Sequence, residues 1–258
     1  MMKDYNFYPD RFKDQTAVIS GGAEGLGKAI AFRLAKEGAR VILFDMNSTK
    51  LDQTLNEFNS YGLKAHGFIV DIASEEQVVK GYEQAYEACG RLDIMVNSAG
   101  IVGPTSTSIL DYSAADYDKV VGVNLSGAFL MSKYALKYMI EKQYGRLLLI
   151  SSIAGKEGNP FMCGYSSSKA GVIGLVKGLG KEFAEKGITI NGLAPAVIKT
   201  AMNEDTAPEQ LAYMTSKIPL NRLGTPDEVA AVSSFIVSRE NSFSTGFIYD
   251  ISGGRATY

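Results

Sequence analysis

Short runs of consecutive apolar residues alternate along the chain with longer segments in which apolar residues return every three or four positions. Ala17, Val18 and Ile19 read as a strand; Leu26, Ile30 and Leu34 then mark one face of a helix that Gly38 ends. Residues 41–44 are a second apolar run, followed by a helical pattern carrying Leu51, Leu55 and Phe58. Further strands are predicted at 66–70, 92–96, 147–150, 188–190 and 247–251, and the longest helical stretches at 129–139 and 165–183. Strands that are apolar throughout belong in a sheet covered on both faces, and the helices between them supply the crossovers parallel strands need. The expected fold is α/β, a parallel sheet wound on both sides. No Pro- or Ser-rich linker interrupts the pattern, so one domain over 1–258 is expected.

The stretch 165–183 contains Gly171, Gly174, Gly178 and Gly180. Each glycine in a helix interior costs about 1 kcal/mol against alanine. Such a stripe of small residues suits close packing against the sheet or against another subunit.

The 258 residues are 46% hydrophobic and 21% charged, enough for one sizeable core. A net charge of -2 gives no basic footprint for nucleic acid, though an anionic small substrate needs only one or two local cations. Two cysteines, Cys89 and Cys163, make no disulfide framework. His66 is the single histidine and has no ligand-spaced partner, so no metal site is expected. Residues 1–14 form an N-terminal arm without the apolar centre of a signal peptide, and no apolar run is long enough to cross a bilayer. These features point to a cytoplasmic protein without a membrane or nucleic-acid partner.

Candidate chemistry begins after the first strand. Gly21, Gly25 and Gly27 lie in SGGAEGLG, residues 20–27, where a strand turns into a helix. Glycines there let a pyrophosphate approach the backbone, and the helix N-terminus favours its charge. Asp45 ends the second strand, where a carboxylate can accept both ribose hydroxyls of NAD and repel the 2′-phosphate of NADP. No arginine follows at Met46 or Asn47, and Glu24 adds a second unfavourable charge for that phosphate. Asp45 also reads as a turn acid, and Asp71 either as a contact to the adenine edge beside Ile72 or as a cap for the helix near Ser74. Tyr165 and Lys169 are one helical turn apart. A cation beside a phenol lowers its pKa from about 10, so the phenol can exchange a proton with a substrate oxygen. Ser152, at the end of a strand, can donate a hydrogen bond to the same oxygen.

Taken together, SGGAEGLG, NSAG at 97–100, Asn124, ISSIAG at 150–155, YSSSK at 165–169 and NGLAPAVIKT at 191–200 resemble the short-chain dehydrogenase/reductase family over essentially the whole chain. The resemblance implies a single-domain Rossmann fold with a doubly wound seven-stranded parallel sheet, NAD(H) as cofactor, and a homotetramer. It implies Tyr165 as acid/base and Lys169 on the nicotinamide ribose, depressing the tyrosine pKa. Ser152 would polarise the substrate, with Ser151 its non-catalytic neighbour, and Asn124 would hold a helix bend in the proton relay. Leu26 would join the glycine loop; Asn97, Ala99 and Gly100 would flank the adenosine ribose; and Val197 and Thr200 would clasp the carboxamide. Ser98 and Ala196 depart from the usual Asn and Gly without removing a catalytic atom.

GKEGNP at 155–160 and the ending SGGRATY at 252–258 are similar to the branch of sugar and sugar-acid dehydrogenases, including those acting on 2-keto-3-deoxy sugar acids. On that reading Ser152, Lys156, Asn159 and Arg255 are the substrate candidates, and the tail is expected to reach a neighbour's pocket. Residues 201–219, with Met202, Tyr213 and Met214, are the expected lid. A 3-oxoacyl thioester reductase and a non-catalytic nucleotide sensor are the alternatives.

Overall fold

Successive strand residues face opposite ways, and here both directions are covered by apolar side chains. Val18, Ile42, Met95 and Leu147 point into one buried cluster, while Ala17, Ile19, Val41, Leu43, Ile94 and Leu148 point into another. The chain is described by a computed structural model over residues 7–200 and 208–258. Its strands are β1 (Thr16–Ser20), β2 (Arg40–Asp45), β3 (Ala65–Ile69), β4 (Ile94–Asn97), β5 (Gly145–Ile150), β6 (Ile188–Pro195) and β7 (Ile248–Ile251). They form one parallel seven-stranded sheet in the order β3-β2-β1-β4-β5-β6-β7.

One cluster lies beneath α1 (Gly25–Lys36), α2 (Ser48–Ser60) and α9 (Pro226–Ile236). The other lies beneath α3 (Glu75–Cys89), α5 (Gly127–Ile140) and α7 (Cys163–Glu182). Three shorter helices, α4 (Ala114–Val121), α6 (Ile153–Glu157) and α8 (Pro208–Ser216), stand near the carboxyl ends of the strands or lead into these layers. Every predicted strand is present; most boundaries move by one to three residues, and β6 runs five residues beyond its predicted end, to Pro195. The two edge strands are the least buried, and His66 is exposed on β3.

The glycines of α7 divide by direction. A side chain at Gly180 would enter the backbone of Gly246, and one at Gly171 would meet Leu125, whereas Gly174 and Gly178 face open space. Close packing within the chain therefore accounts for Gly171 and Gly180, while Gly174 and Gly178 lie on an open side of the helix. Of the N-terminal arm, residues 1–6 lie outside the described residues. The remainder is docked: Phe12 is buried, and Arg11 with Arg33 flanks the buried Glu37 of the turn after α1.

Candidate active site

Strand order reverses between β1 and β4, and their carboxyl ends open a crevice. The two loops there are laced together. Ser20 Oγ donates to Asn97 Oδ1 (2.8 Å) and accepts from the Ala99 N–H (3.3 Å). Gly21, at φ +63°, leaves no room for a side chain against the Ala99 backbone, 2.9 Å from a Cβ position. A side chain at Gly27 would strike the Gly21 carbonyl, while Gly25, at φ +56°, faces space with no atom within 4 Å. The side chain of Leu26 packs against the core, leaving its backbone to face the crevice.

Side chains cap α2, α3, α4 and α9 through Asn47, Ser74, Ser113 and Thr225, but the Glu24 side chain makes no such bond at α1. The first N–H groups of α1 are therefore presented to the glycine crevice, an arrangement that fits a pyrophosphate. Asp45 is fixed beside it. Its Oδ2 accepts the Ala23 N–H (3.1 Å) and its Oδ1 the Asn47 N–H (3.0 Å). The turn-acid and ribose-acid readings are thus compatible, since each oxygen keeps a lone pair free. Glu24 is paired with Lys50, a residue the sequence reading passed over. Asp71 Oδ1 accepts the Ala73 N–H (2.9 Å), whereas Ser74 is the residue that caps α3. The Ile72 side chain is buried and reaches the space beside Gly127, so only its backbone is available to a cofactor.

The second half of the site is built around α7. Lys169 is buried, and its ammonium donates to the Ile150 carbonyl at the end of β5 (2.9 Å). Asn124 sits in a π-helical turn (Gly122–Ser126) between α4 and α5, the bend the motif implied. It accepts from the Ile101 N–H (2.8 Å) and donates to the Ile101 carbonyl (2.9 Å) and Ser168 Oγ (3.0 Å). Ser168 in turn donates to the Tyr165 carbonyl (2.8 Å), so Asn124 steadies the first turn of α7. Position 100 must be small: a Cβ there would lie 3.0 Å from Asn124 Oδ1 and 3.4 Å from Lys169 Nζ.

The two serines at the end of β5 separate cleanly. Ser151 is buried and donates to the Lys169 carbonyl (2.8 Å). Ser152 caps α6, accepting the Ala154 N–H (3.1 Å), and its hydroxyl acts on the Tyr165 phenol by lowering its pKa. One expectation is corrected here. Tyr165 is raised above its ordinary pKa by burial, and the group that pulls it down is Ser152 rather than Lys169. Lys169 is itself lowered to about 8 by burial. The ammonium stands 5.8 Å from the phenol ring centroid and is directed at a backbone oxygen, so desolvation outweighs attraction for both groups.

Residues 197–199 are held against Gly224, with hydrogen bonds to Val197 (3.1 Å) and Lys199 (2.9 Å), and Thr200 follows. Ala196 lacks a positive φ, so its methyl brings no backbone strain. Of the expected lid, 201–207, including Met202, lies outside the described residues, and α8 carries Tyr213 and Met214.

The substrate candidates fall differently from expectation. Lys156 is engaged by Asp250 (2.8 and 3.0 Å) instead of being directed to an open site. Arg255 donates to Glu157 (2.8 and 3.0 Å) and reaches Asn159 Oδ1 (3.4 Å). Tyr258 donates to the Lys156 carbonyl (3.0 Å). In this chain the tail therefore lies on its own α6. Glu157 and Asp250 were not singled out from the sequence, because nothing in their local pattern marks a partner about a hundred positions away.

The sequence pattern of the family described as short chain dehydrogenase matches residues 15–211. The chain is 39% identical over 251 residues to a 2-dehydro-3-deoxy-L-rhamnonate dehydrogenase (NAD(+)) of Sphingomonas sp. (strain SKA58), covering 97% of this chain and 99% of that protein. It is 36% identical over 245 residues to a 3-oxoacyl-(acyl-carrier-protein) reductase of Aquifex aeolicus (strain VF5), covering 95% and 98%. It also superposes on a crystal structure of an NAD+-bound xylitol dehydrogenase with a TM-score of 0.90 at 28% identity, covering 94% of this chain and 99% of that one.

Two outcomes follow from the buried lysine and the half-buried tyrosine. An ammonium whose folded pKa is about 8, below the 10.5 of the unfolded chain, weakens folding wherever both states are protonated. That penalty, of order 3 kcal/mol, is full below pH 8 and fades as pH rises toward 10.5. Lys169→Met should therefore raise the Tm of the cofactor-free protein at pH 7, with an advantage that shrinks above pH 8 in a series of thermal scans. For Tyr165, alcohol oxidation needs the phenolate and should climb on the alkaline side, while ketone reduction should decline there. Ser152→Ala, which removes the hydroxyl that favours the phenolate, should move both breaks to higher pH in kcat/KM profiles.

Proposed function

Since this chain belongs to the short chain dehydrogenase family, we propose that it interconverts a secondary alcohol and a ketone on a 2-keto-3-deoxy sugar acid or a related sugar or polyol. The observation that carries this reading is full-length similarity to a dehydrogenase of that substrate class, with no catalytic residue of the motif set missing. It is an oxidoreductase acting on CH–OH groups, and its cofactor is NAD(H).

Bound NADH supplies the hydride, and the chain supplies everything else. Gly21, Gly25, Leu26 and Gly27 would receive the pyrophosphate, and Asp45 the ribose hydroxyls. Backbone at Asp71 and Ile72 would meet the adenine edge. Asn97, Ala99 and Gly100 would lie along the sugar, and Val197 and Thr200 along the carboxamide. Lys169 would hold the second ribose. In reduction, Tyr165 donates its phenolic proton to the carbonyl oxygen while Ser152 donates a second hydrogen bond to it. Asn124 keeps Ile101 and the start of α7 in place. Residues 201–219 would close over the reacting groups and exclude water.

At the acid end, Arg255 and Asn159 are adjacent, and Glu157 supplies the guanidinium's present carboxylate partner. Both guanidinium N–H groups share one Glu157 oxygen, and a substrate carboxylate taking them with its two oxygens would make a bidentate contact. Lys156 serves to seat the tail. The reading extends to a homotetramer in a reducing cytoplasm, supported by exposed Phe243 and Phe247 before β7, the open Gly174 and Gly178 on α7, and two free cysteines. Similarity to a 3-oxoacyl thioester reductase supports a second substrate reading.

A panel of 2-keto-3-deoxy sugar acids, polyols and 3-oxoacyl thioesters, each with both nicotinamide cofactors, decides between them. Sugar-acid turnover with NAD(H) is expected; thioester reduction with NADPH overturns the first reading. Tyr165→Phe should lower kcat by at least about a hundredfold with little change in NADH binding. Deleting residues 255–258 should raise KM for an acidic substrate far more than for its neutral analogue. Equal KM changes would remove Arg255 from the acid end.

A further inference from the structure

The carboxylate that selects the adenosine ribose is one member of a closed ring of contacts. Asp45 accepts the Ala23 and Asn47 N–H groups, and Asn47 Oδ1 accepts the Lys50 N–H (3.0 Å). The Lys50 ammonium then returns across the crevice to Glu24, the neighbour of Ala23. Both side chains are about half exposed, at 45% for Lys50 and 56% for Glu24. The ring thus contains a half-exposed cation one residue contact removed from the carboxylate that would meet the ribose 2′ position, and that cation is neutralised by an acid from the glycine loop.

From this we propose that Lys50 is a latent 2′-phosphate ligand and that Glu24 keeps it occupied, so the pair sets how strictly the site refuses a 2′-phosphorylated adenosine. The proposal rests on the NAD(H) reading and adds to it. Asp45 alone repels a phosphate, but a free ammonium nearby would offset that repulsion, because a charge-assisted bond to phosphate is stronger than an exposed ion pair. On this view the role of Glu24 is withdrawal of a competing cation, rather than the direct repulsion that its sign alone suggests. Its removal unmasks Lys50, and the effect should depend on Lys50 being present.

The test needs neither substrate nor turnover. Calorimetric titrations with adenosine 5′-monophosphate and adenosine 2′,5′-bisphosphate give an affinity ratio for each variant. Glu24→Gln should raise the bisphosphate-to-monophosphate ratio by roughly tenfold at low salt, and by less in high salt where exposed charges are screened. Adding Lys50→Met to Glu24→Gln should return the ratio to near the wild-type value. If the gain survives in the double variant, Glu24 acts as a bare repelling charge and the proposal fails. It also fails if Glu24→Gln leaves the ratio unchanged. A wild-type chain that binds the bisphosphate more tightly than the monophosphate would instead overturn the NAD(H) reading itself, whatever the variants do. Circular dichroism on each variant separates loss of fold from loss of binding.

Discussion

The buried bond from the Lys169 ammonium to the Ile150 carbonyl is the constraint around which the reactive half of the molecule is arranged. An ammonium taken out of water is costly, and one backbone oxygen offsets only part of that cost. The surroundings show what is built to hold it. The backbone of Lys169 accepts the Ser151 hydroxyl, and Gly155 of α6 presses so closely on it that a Cβ would stand 2.6 Å from the Lys169 carbonyl carbon. Gly100 and Asn124 occupy the space on the other side. Strand β5, helix α6, helix α7 and the π turn therefore share one joint, and a shift in any of them moves the phenol or the serine.

This joint explains why the reactive groups are poorly matched to water. Tyr165 and Lys169 are both pushed toward their neutral forms, so the phenol is held as a proton donor in the cofactor-free chain. Ser152 acts against that tendency while its own position is set by capping α6. Positioning and proton affinity are thus coupled through a five-residue helix. The C-terminal tail braces that helix from outside through Arg255 on Glu157 and Tyr258 on the Lys156 carbonyl.

The cofactor half obeys a different economy of space. There the backbone is brought close by glycine, and charge is placed by hydrogen bonds to the main chain. Gly21 against Ala99 and Ser20 against Asn97 join β1 to β4 at the point where the strand order reverses. Because Asp45 accepts the Ala23 N–H, the acid at the end of β2 and the glycine loop are joined by a direct bond.

The sequence by itself determined the layered α/β fold, the seven strands and the short motifs that mark the candidate site. Those features rest on local pattern and on short motifs: continuous apolar runs for the buried strands, 3.6-residue recurrence for helices, and one helical turn between Tyr165 and Lys169. Tertiary structure decided which charges meet. Lys50 on Glu24, Lys156 on Asp250 and Arg255 on Glu157 are separated by 26, 94 and 98 positions, and none leaves a local signature. It also reversed the expected direction for the Tyr165 pKa. Spacing places a cation beside a phenol, but only the packed chain shows that both are desolvated and that the cation is aimed at Ile150, and desolvation is a property of the surroundings rather than of the motif.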